Sequence, residues 1–429
     1  MRASSLSRRL ELLGRARSFR LLFFATLGSG LGTWLAYVAL TVDVFERTDS
    51  GSWVAALLVA DFLPIVAVGF LLGPLVDRLS RKRLMIASDL VRFGVFCLLP
   101  FATSAAMIVA LAAVAGAATG LFRPALYAGL PNLVEEQDLP GANSLLQSVE
   151  NLTWALAPLI GGVLVAASSP DVAYWINAVT FLVSAALLAG IPQRLLQAAR
   201  AESRGHVRDL LDGATLVVRS AALLAVLVTW NLFMLAAAGV NVAEIVLASD
   251  SFDSGAFGFG LLVGTTGLGL VLGSFVAGGW LGRWPIDRVY GAAIALNAVG
   301  IGCAAISPTV WVAAVFVVIL GFGNGAAVVC NSLLVQRGAP DHVRGRAFTV
   351  IMSSNYAVLA LGMAAAGPLT DLIGPRWLWG AAALLSGLAA GLGYTLTRRA
   401  AAEAEPPPPP PLVEPRPRPL EPRPTEPVR

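Results

Sequence analysis

Five ionisable residues interrupt long apolar stretches of this 429-residue chain: Asp61, Asp89, Arg92, Arg123 and Glu150. A charge in such surroundings is costly unless it is paired, hydrated or neutralised by a proton. Asp89 and Arg92 are three residues apart, which puts them on one face of a helix. Together with Arg123 and Glu150 they make two acids and two bases, and an ion-pair network among the four is the economical arrangement. It can be static or it can rearrange. Asp61 has no obvious basic partner at its own depth, and burial of an unpaired carboxylate favours its neutral form. Asp61 is therefore the first candidate for reversible proton binding, with Glu150 second.

Other chemistry is poorly provided for. His206 and His342 are far apart and show no metal-ligand spacing. Cys97, Cys303 and Cys330 fall inside apolar runs and are odd in number, so no disulfide framework is implied. No GxxxxGK[ST] sequence occurs, so ATP is not a direct energy source. We expect no metal, no cofactor and no enzymatic activity. The basic residues are dispersed over many short loops, which argues against a nucleic-acid partner.

The elements that position these residues are membrane spans. Only 13% of residues are charged, against about 25% in an ordinary globular domain, so the chain is composed for lipid. Twelve apolar segments approach the roughly 20 residues needed to cross a bilayer: 20–43, 52–72, 84–103, 106–131, 142–167, 171–191, 221–248, 256–281, 287–306, 309–334, 347–372 and 376–397. Gly, Ala and Leu dominate them, which indicates an all-α membrane protein rather than a barrel. At 1.5 Å per residue, Asp61 is about 13 Å deep. By the same count Asp89, Arg92, Arg123 and Glu150 are roughly 7–15 Å from the opposite face.

Alternating the loops between two sides sorts the basic residues sharply. One side receives Arg2 to Arg20, the 78–83 cluster, Arg194 to Arg219, Arg283, Arg288, Arg337, Arg344, Arg346 and the tail; the other receives Arg47 and Arg376. The positive-inside rule then places both termini in the cytoplasm of a multi-pass cell-membrane protein. The expected organisation is a flank at 1–19, a six-helix half at 20–191, a linker at 192–220, a second half at 221–397 and a tail at 398–429. "QRLLQAARAESRGHVRDLLDG" in the linker has apolar residues at helical spacing and suits an amphipathic helix on the membrane face, or a plain tether. The Pro-rich tail is expected to be extended and disordered.

The halves are related by an offset of 205 residues. "GPLVDRLSRKR" (73–83) aligns with "GGWLGRWPIDR" (278–288), and Gly116 and Gly120 align with Gly321 and Gly325. Two parallel repeats of six spans form a transporter architecture with its site between the halves.

The motif residues then narrow the reading. "GPLVDRLSRKR" after span two resembles the signature of the major facilitator superfamily, and the likeness covers about 20–397. "WALAPLIGG" (154–162) is similar to the Gly-Pro-x-x-Gly-Gly element of proton-coupled exporters. Ala157 replaces its first Gly, while Pro158, Gly161 and Gly162 are in place. "FRPALYAGLPNLV" (122–134), "GANSLLQS" (141–148) and "RGRAFTV" (344–350) resemble the branch of enterobactin-exporter-like and macrolide-efflux-like proteins. One feature departs from that pattern: Arg123 follows Gly116 and Gly120, where many drug exporters place an Arg ahead of those glycines.

The resemblance implies a major facilitator fold with two pseudo-symmetric halves. It also implies a gating latch of Gly73, Asp77 and Arg78 with Arg81, Lys82 and Arg83, in which Asp77 faces the start of span eleven near Ala347. A helix start carries partial positive charge and free N–H groups that suit a carboxylate. Arg81, Lys82 and Arg83 also serve topology and contact lipid. The spans that line the cavity in this fold carry Trp34, Tyr37, Trp230, Asn231, Phe233, Asn355 and Tyr356. Asp43 and Glu244, near span ends, read as solvated rim residues, though either could meet a cationic substrate. The expectation is a monomeric secondary exporter that exchanges protons for an amphipathic small molecule. The alternatives are an importer or uniporter of the same fold, or a non-transporting sensor.

Overall fold

The computed structural model describes residues 11–71, 79–196, 214–339 and 341–404. Twelve helices among them are long and apolar enough to cross a membrane. They are α1 (Arg17–Thr48), α2 (Gly51–Leu71), α3 (Arg81–Leu98), α4 (Ala105–Gly129), α5 (Leu139–Ala167) and α6 (Pro170–Ala189), then α7 (Ala221–Val246), α8 (Gly255–Leu281), α9 (Ile286–Ala305), α10 (Val310–Gly338), α11 (Asp341–Ile373) and α12 (Pro375–Ala404). No strand occurs among the described residues. The protein is an all-helical, multi-pass membrane protein.

Each expected span falls on one helix, but several helices overrun the apolar segment. Thus α11 begins at Asp341 rather than near Ala347, and α1 continues to Thr48. Hydropathy marks only the part of a helix in lipid, whereas the helix itself runs on until it is capped. Ser104, Ser220 and Thr309 each accept a hydrogen bond from the backbone N–H three residues on, fixing the starts of α4, α7 and α10. Asp49, at φ +49°, ends α1 in the left-handed conformation, and Gly374, at φ +84°, does the same between α11 and α12.

Helix packing repeats between the halves. Within the first half α1 meets α5 and α6, α2 meets α4, and α3 meets α4 and α6. In the second, α7 meets α11 and α12, α8 meets α10, and α9 meets α10 and α12, the same set six helices on. The glycines show this at atomic level. A Cβ on Gly116 or Gly120 would run into the backbone of Asp61 or Ile65 on α2, and on Gly321 or Gly325 into Thr266 or Leu270 on α8. These partners are related by the same 205-residue offset, so a close helix crossing has been kept in both copies. Small residues let backbones approach in lipid, where apolar burial alone gives no preference for helix contact.

The halves meet along two seams, α2 with α11 and α5 with α8. Their buried core is distributed unequally along the helices. Near the end that carries only Arg47 and Arg376, one apolar cluster joins both halves, from Leu35, Val44 and Val54 through Phe259 and Leu262 to Met363 and Trp379. Near the arginine-rich end the core is split. One cluster holds Phe19, Met85, Phe122, Leu146 and Leu188 of the first half, and a separate one holds Trp230, Tyr290, Leu334 and Ile351 of the second.

Candidate functional site

The two seams are closed by different means. At the arginine-poor end, Asp371 in the last turn of α11 reaches the first turn of α2 in the other half. Gly51 and Ser52 donate their backbone N–H groups to its carboxylate at 2.6 and 3.1 Å. The Ser52 and Ser50 hydroxyls donate at 2.5 and 3.0 Å. A helix start has free N–H groups and partial positive charge, so Asp371 caps α2 from across the interface. Gly367, one turn earlier, makes room for this approach, since a Cβ there would meet Ala55 and Ser52.

Backbone contact closes the other seam. Gly162 of α5 lies against Ala256 and Gly260 of α8, Gly260 against the Pro158 carbonyl, and Gly267 against Ala155. On the adjacent face of α5, Gly161 packs on Leu35 of α1. Ala157 and Pro158 are buried among them. The "WALAPLIGG" element thus sits at a three-helix junction of α1, α5 and α8, and its small residues set how closely they approach.

Aromatic side chains continue from that junction towards the middle of the molecule. Trp34 contacts Tyr37 and Trp154 at 5.5 and 6.1 Å between ring centroids, and Tyr37 contacts Phe259 of the second half at 6.0 Å. On the α2–α11 seam Phe62 and Tyr356 meet edge-on at 5.3 Å. Trp34 and Tyr37 are partly buried and Tyr356 is exposed. Trp230 and Phe233 are placed differently from expectation. They stack on each other at 4.7 Å inside the core of the second half, because the side of α7 that carries them is turned to its own half there. Asn231 donates to Ser354 of α11 at 2.8 Å. Asn355 is fully buried, and neither amide atom has a hydrogen-bond partner among the described residues.

The expected four-membered ion-pair network is two separate pairs. Arg92 binds Asp89 at 2.5 Å within α3, with the guanidinium between the rings of Phe122 and Phe181. Arg123 of α4 binds Glu150 of α5 at 3.0 Å, and the Tyr127 hydroxyl donates to the same carboxylate at 2.9 Å. The first pair is enclosed and the second is largely open. Similar depth along the helices did not imply the same helix face, and that separates the pairs. Asp61 has no hydrogen-bond partner among the described residues, and its backbone lies against Gly116 of α4.

Gly73, Asp77 and Arg78 lie outside the described residues, as do residues 197–213 of the linker and the tail from 405 onward. Of the basic group after them, Lys82 donates to the carbonyls of Ala189 and Ile191 at 2.6 Å each. It caps the end of α6 in its own half rather than facing the other. Arg81 begins α3 beside Gly129, and Arg83 is exposed. Asp43 and Glu244 depart from the rim reading, with exposures of 6% and 5%. Asp43 is bound by Arg47 at 2.5 Å and by the Tyr174 hydroxyl at 2.9 Å.

Asp371 was not singled out from sequence, yet a signal for it exists. "GPLTD" at 367–371 repeats the "GPLVD" of 73–77. One copy ends α11 at the arginine-poor end; the other comes after α2 in the sequence and lies outside the described residues.

Comparison with known proteins fits this architecture. The chain is 28% identical over 361 residues to the uncharacterized MFS-type transporter YfiS of Bacillus subtilis (strain 168), covering 81% of this chain and 85% of that one. It is 28% identical over 376 residues to the multidrug efflux pump Tap of Mycolicibacterium fortuitum, covering 82% and 89%. Among solved structures, the nucleoside transporter NupG superposes with a TM-score of 0.73 at 14% identity, covering 89% of this chain and 99% of that one. A bacterial homologue of the human lysosomal transporter Spinster, inward-facing and unoccupied, gives 0.72 at 12% identity, covering 91% and 98%. At these identities the structures speak for the fold alone. The family described as transmembrane secretion effector (MFS_3) matches residues 14–418, and the chain belongs to that family of transporters.

Proposed function

We propose that the protein is a secondary exporter that moves an amphipathic small molecule outward in exchange for protons, by alternating access. The observation that carries this reading is the divided core, which joins both halves at the arginine-poor end and separates into one cluster per half at the other. A carrier open to one side has that construction. The arginine-rich end is taken as cytoplasmic on the positive-inside rule, with both termini on that side, so the arrangement is closed outward. The efflux function named for Tap and the α5 element "WALAPLIGG" support export over import.

The two "GPLxD" segments then serve as latches at opposite ends of one seam. Asp371 caps α2 when the outer side is shut, and Asp77 caps the start of α11 when the inner side is shut. Asp61 is the coupling acid, being a carboxylate on α2 that no hydrogen bond holds among the described residues. Glu150 serves less well, because Arg123 and Tyr127 already engage it.

Everted membrane vesicles test the reading. Addition of an amphipathic compound from a broad panel should dissipate a preset pH gradient, and D61N should abolish that response while the protein remains folded. A panel without effect removes the support for proton antiport. Normal export by D61N removes Asp61 as the coupling acid.

A further inference from the structure

Helices α9 and α12 pack side by side and antiparallel in the second half. A Cβ on Gly291 would lie 2.9 Å from that of Tyr394, and one on Gly302 would lie 3.5 Å from that of Ala383. Towards the arginine-rich end the two helices leave an open groove of about 360 Å³. Small residues line it, among them Gly291, Ala292, Ala295 and Gly391, with Arg288 and Tyr394 beside them. Arg398, one turn after Tyr394, donates from Nη1 to the Tyr394 hydroxyl at 3.1 Å, and its guanidinium lies 6.0 Å from the ring centroid. Two guanidinium groups, one from each helix, therefore stand at the same end of the groove.

That charge is unbalanced. Arg288 and Arg398 are exposed, and no ion pair engages either among the described residues. Asp287, the acid next to Arg288 in the sequence, is buried at 9% exposure and forms no salt bridge among the described residues. Beyond the arginines the groove faces lipid. Leu384 and Leu388, on one stripe of α12 with Gly391, are 73% and 62% exposed, and Val299, on one stripe of α9 with Ala292 and Ala295, is 54% exposed. Leu384 is ten residues before Tyr394, about 15 Å along the helix and about half the hydrocarbon thickness of a bilayer. In a membrane such a surface is covered by acyl chains, and the arginines then decide which headgroup lies above it. Guanidinium forks suit phosphate oxygens, and basic pockets between spans suit anionic headgroups. A soluble anion fits less well, because it leaves the apolar length of the groove unused.

We propose that the α9–α12 groove holds an anionic phospholipid of the leaflet at the arginine-rich end, its phosphate on Arg288 and Arg398 and an acyl chain along Ala292, Ala295 and Gly391. In the orientation proposed above this is the cytoplasmic leaflet. The groove belongs to one half and lies apart from the two seams, so the site does not depend on what is transported or in which direction.

The test is native mass spectrometry of the full chain in detergent, with phosphatidylglycerol and phosphatidylcholine of the same acyl chains added in equal amounts. One basic residue near an anionic headgroup is worth about fivefold, so two should favour the phosphatidylglycerol about thirtyfold. R288Q and R398Q should each lose about fivefold of that preference, and the double variant should bind the two lipids alike. R283Q, at an exposed arginine of the same end that does not line the groove, should behave as wild type. A292F fills the groove and keeps both arginines, and it should also remove the bound phosphatidylglycerol. Excess inorganic phosphate at constant ionic strength should not displace the lipid. If the double variant does not elute as a folded monodisperse protein, A292F and the phosphate competition carry the test. Equal binding of the two lipids by the wild type overturns the proposal, and so does a preference that survives in the folded double variant. Displacement by phosphate, with A292F behaving as wild type, would show that an anion alone is recognised and would overturn the lipid as occupant.

Discussion

Replacing Asp371 with alanine should loosen the arginine-poor end of the protein, the outer side in the proposed orientation, without unfolding it. The carboxylate accepts from two backbone N–H groups and two serine hydroxyls of the other half. Asp371 is exposed, so water takes over these partners when the side chain is removed, and the four bonds do not sum. Loss of a helix cap costs about 0.5–2 kcal/mol, typically about 1. That shifts the opening equilibrium about fivefold, with about thirtyfold as an upper bound. Met363 lies two turns before Asp371 on the same stripe as Gly367 and is buried at 6% exposure, so a cysteine there reports opening. With Cys97, Cys303 and Cys330 replaced by alanine, M363C should react slowly with an impermeant maleimide supplied from outside. Adding D371A should raise that rate about fivefold. A rate unchanged within a factor of about two would refute the argument that Asp371 holds the seam shut.

Three further outcomes follow from the packing. R92M leaves Asp89 buried without its counter-charge and should cost about 3–5 kcal/mol; the D89L/R92M double variant should melt above R92M, as measured by thermal unfolding in detergent. G162A places a Cβ 2.8 Å from the Ala256 carbonyl oxygen and the Gly260 Cα, so it should destabilise by about 1–3 kcal/mol. G278A, which meets nothing within 4 Å, should leave the melting temperature unchanged. K82A removes the cap on α6 and should lower stability by about 0.3–1 kcal/mol while leaving M363C labelling as it was, since Lys82 acts within one half.

Span number and helical class were legible because bilayer thickness imposes a length that composition alone reveals. The repeat was legible through glycines, and the structure shows why: Gly116, Gly120, Gly321 and Gly325 each hold a close helix crossing that any side chain would spoil. Helix face was the point at which sequence fell short. Depth arithmetic grouped Asp89, Arg92, Arg123 and Glu150, but only rotation about each helix axis decides that Arg92 turns inward between Phe122 and Phe181 while Arg123 stays exposed. The same limit hid the burial of Trp230, Phe233 and Glu244. Asp371 was obscured for another reason. Its pentapeptide repeats that of 73–77 outside the 205-residue register, pairing the end of α2 with the end of α11 rather than with α8.

The central claim, that the two ends of the molecule open in alternation, is tested most directly by distances between spin labels. One pair, W53C with L372C, spans the outer end of the α2–α11 seam; the other, Q147C with R283C, spans the arginine-rich end between α5 and α8. Electron–electron resonance distances should change in opposite senses between wild type and D61N, one pair lengthening as the other shortens. Two pairs that move together, or that both stay fixed in every state in which transport is measurable, would contradict the account.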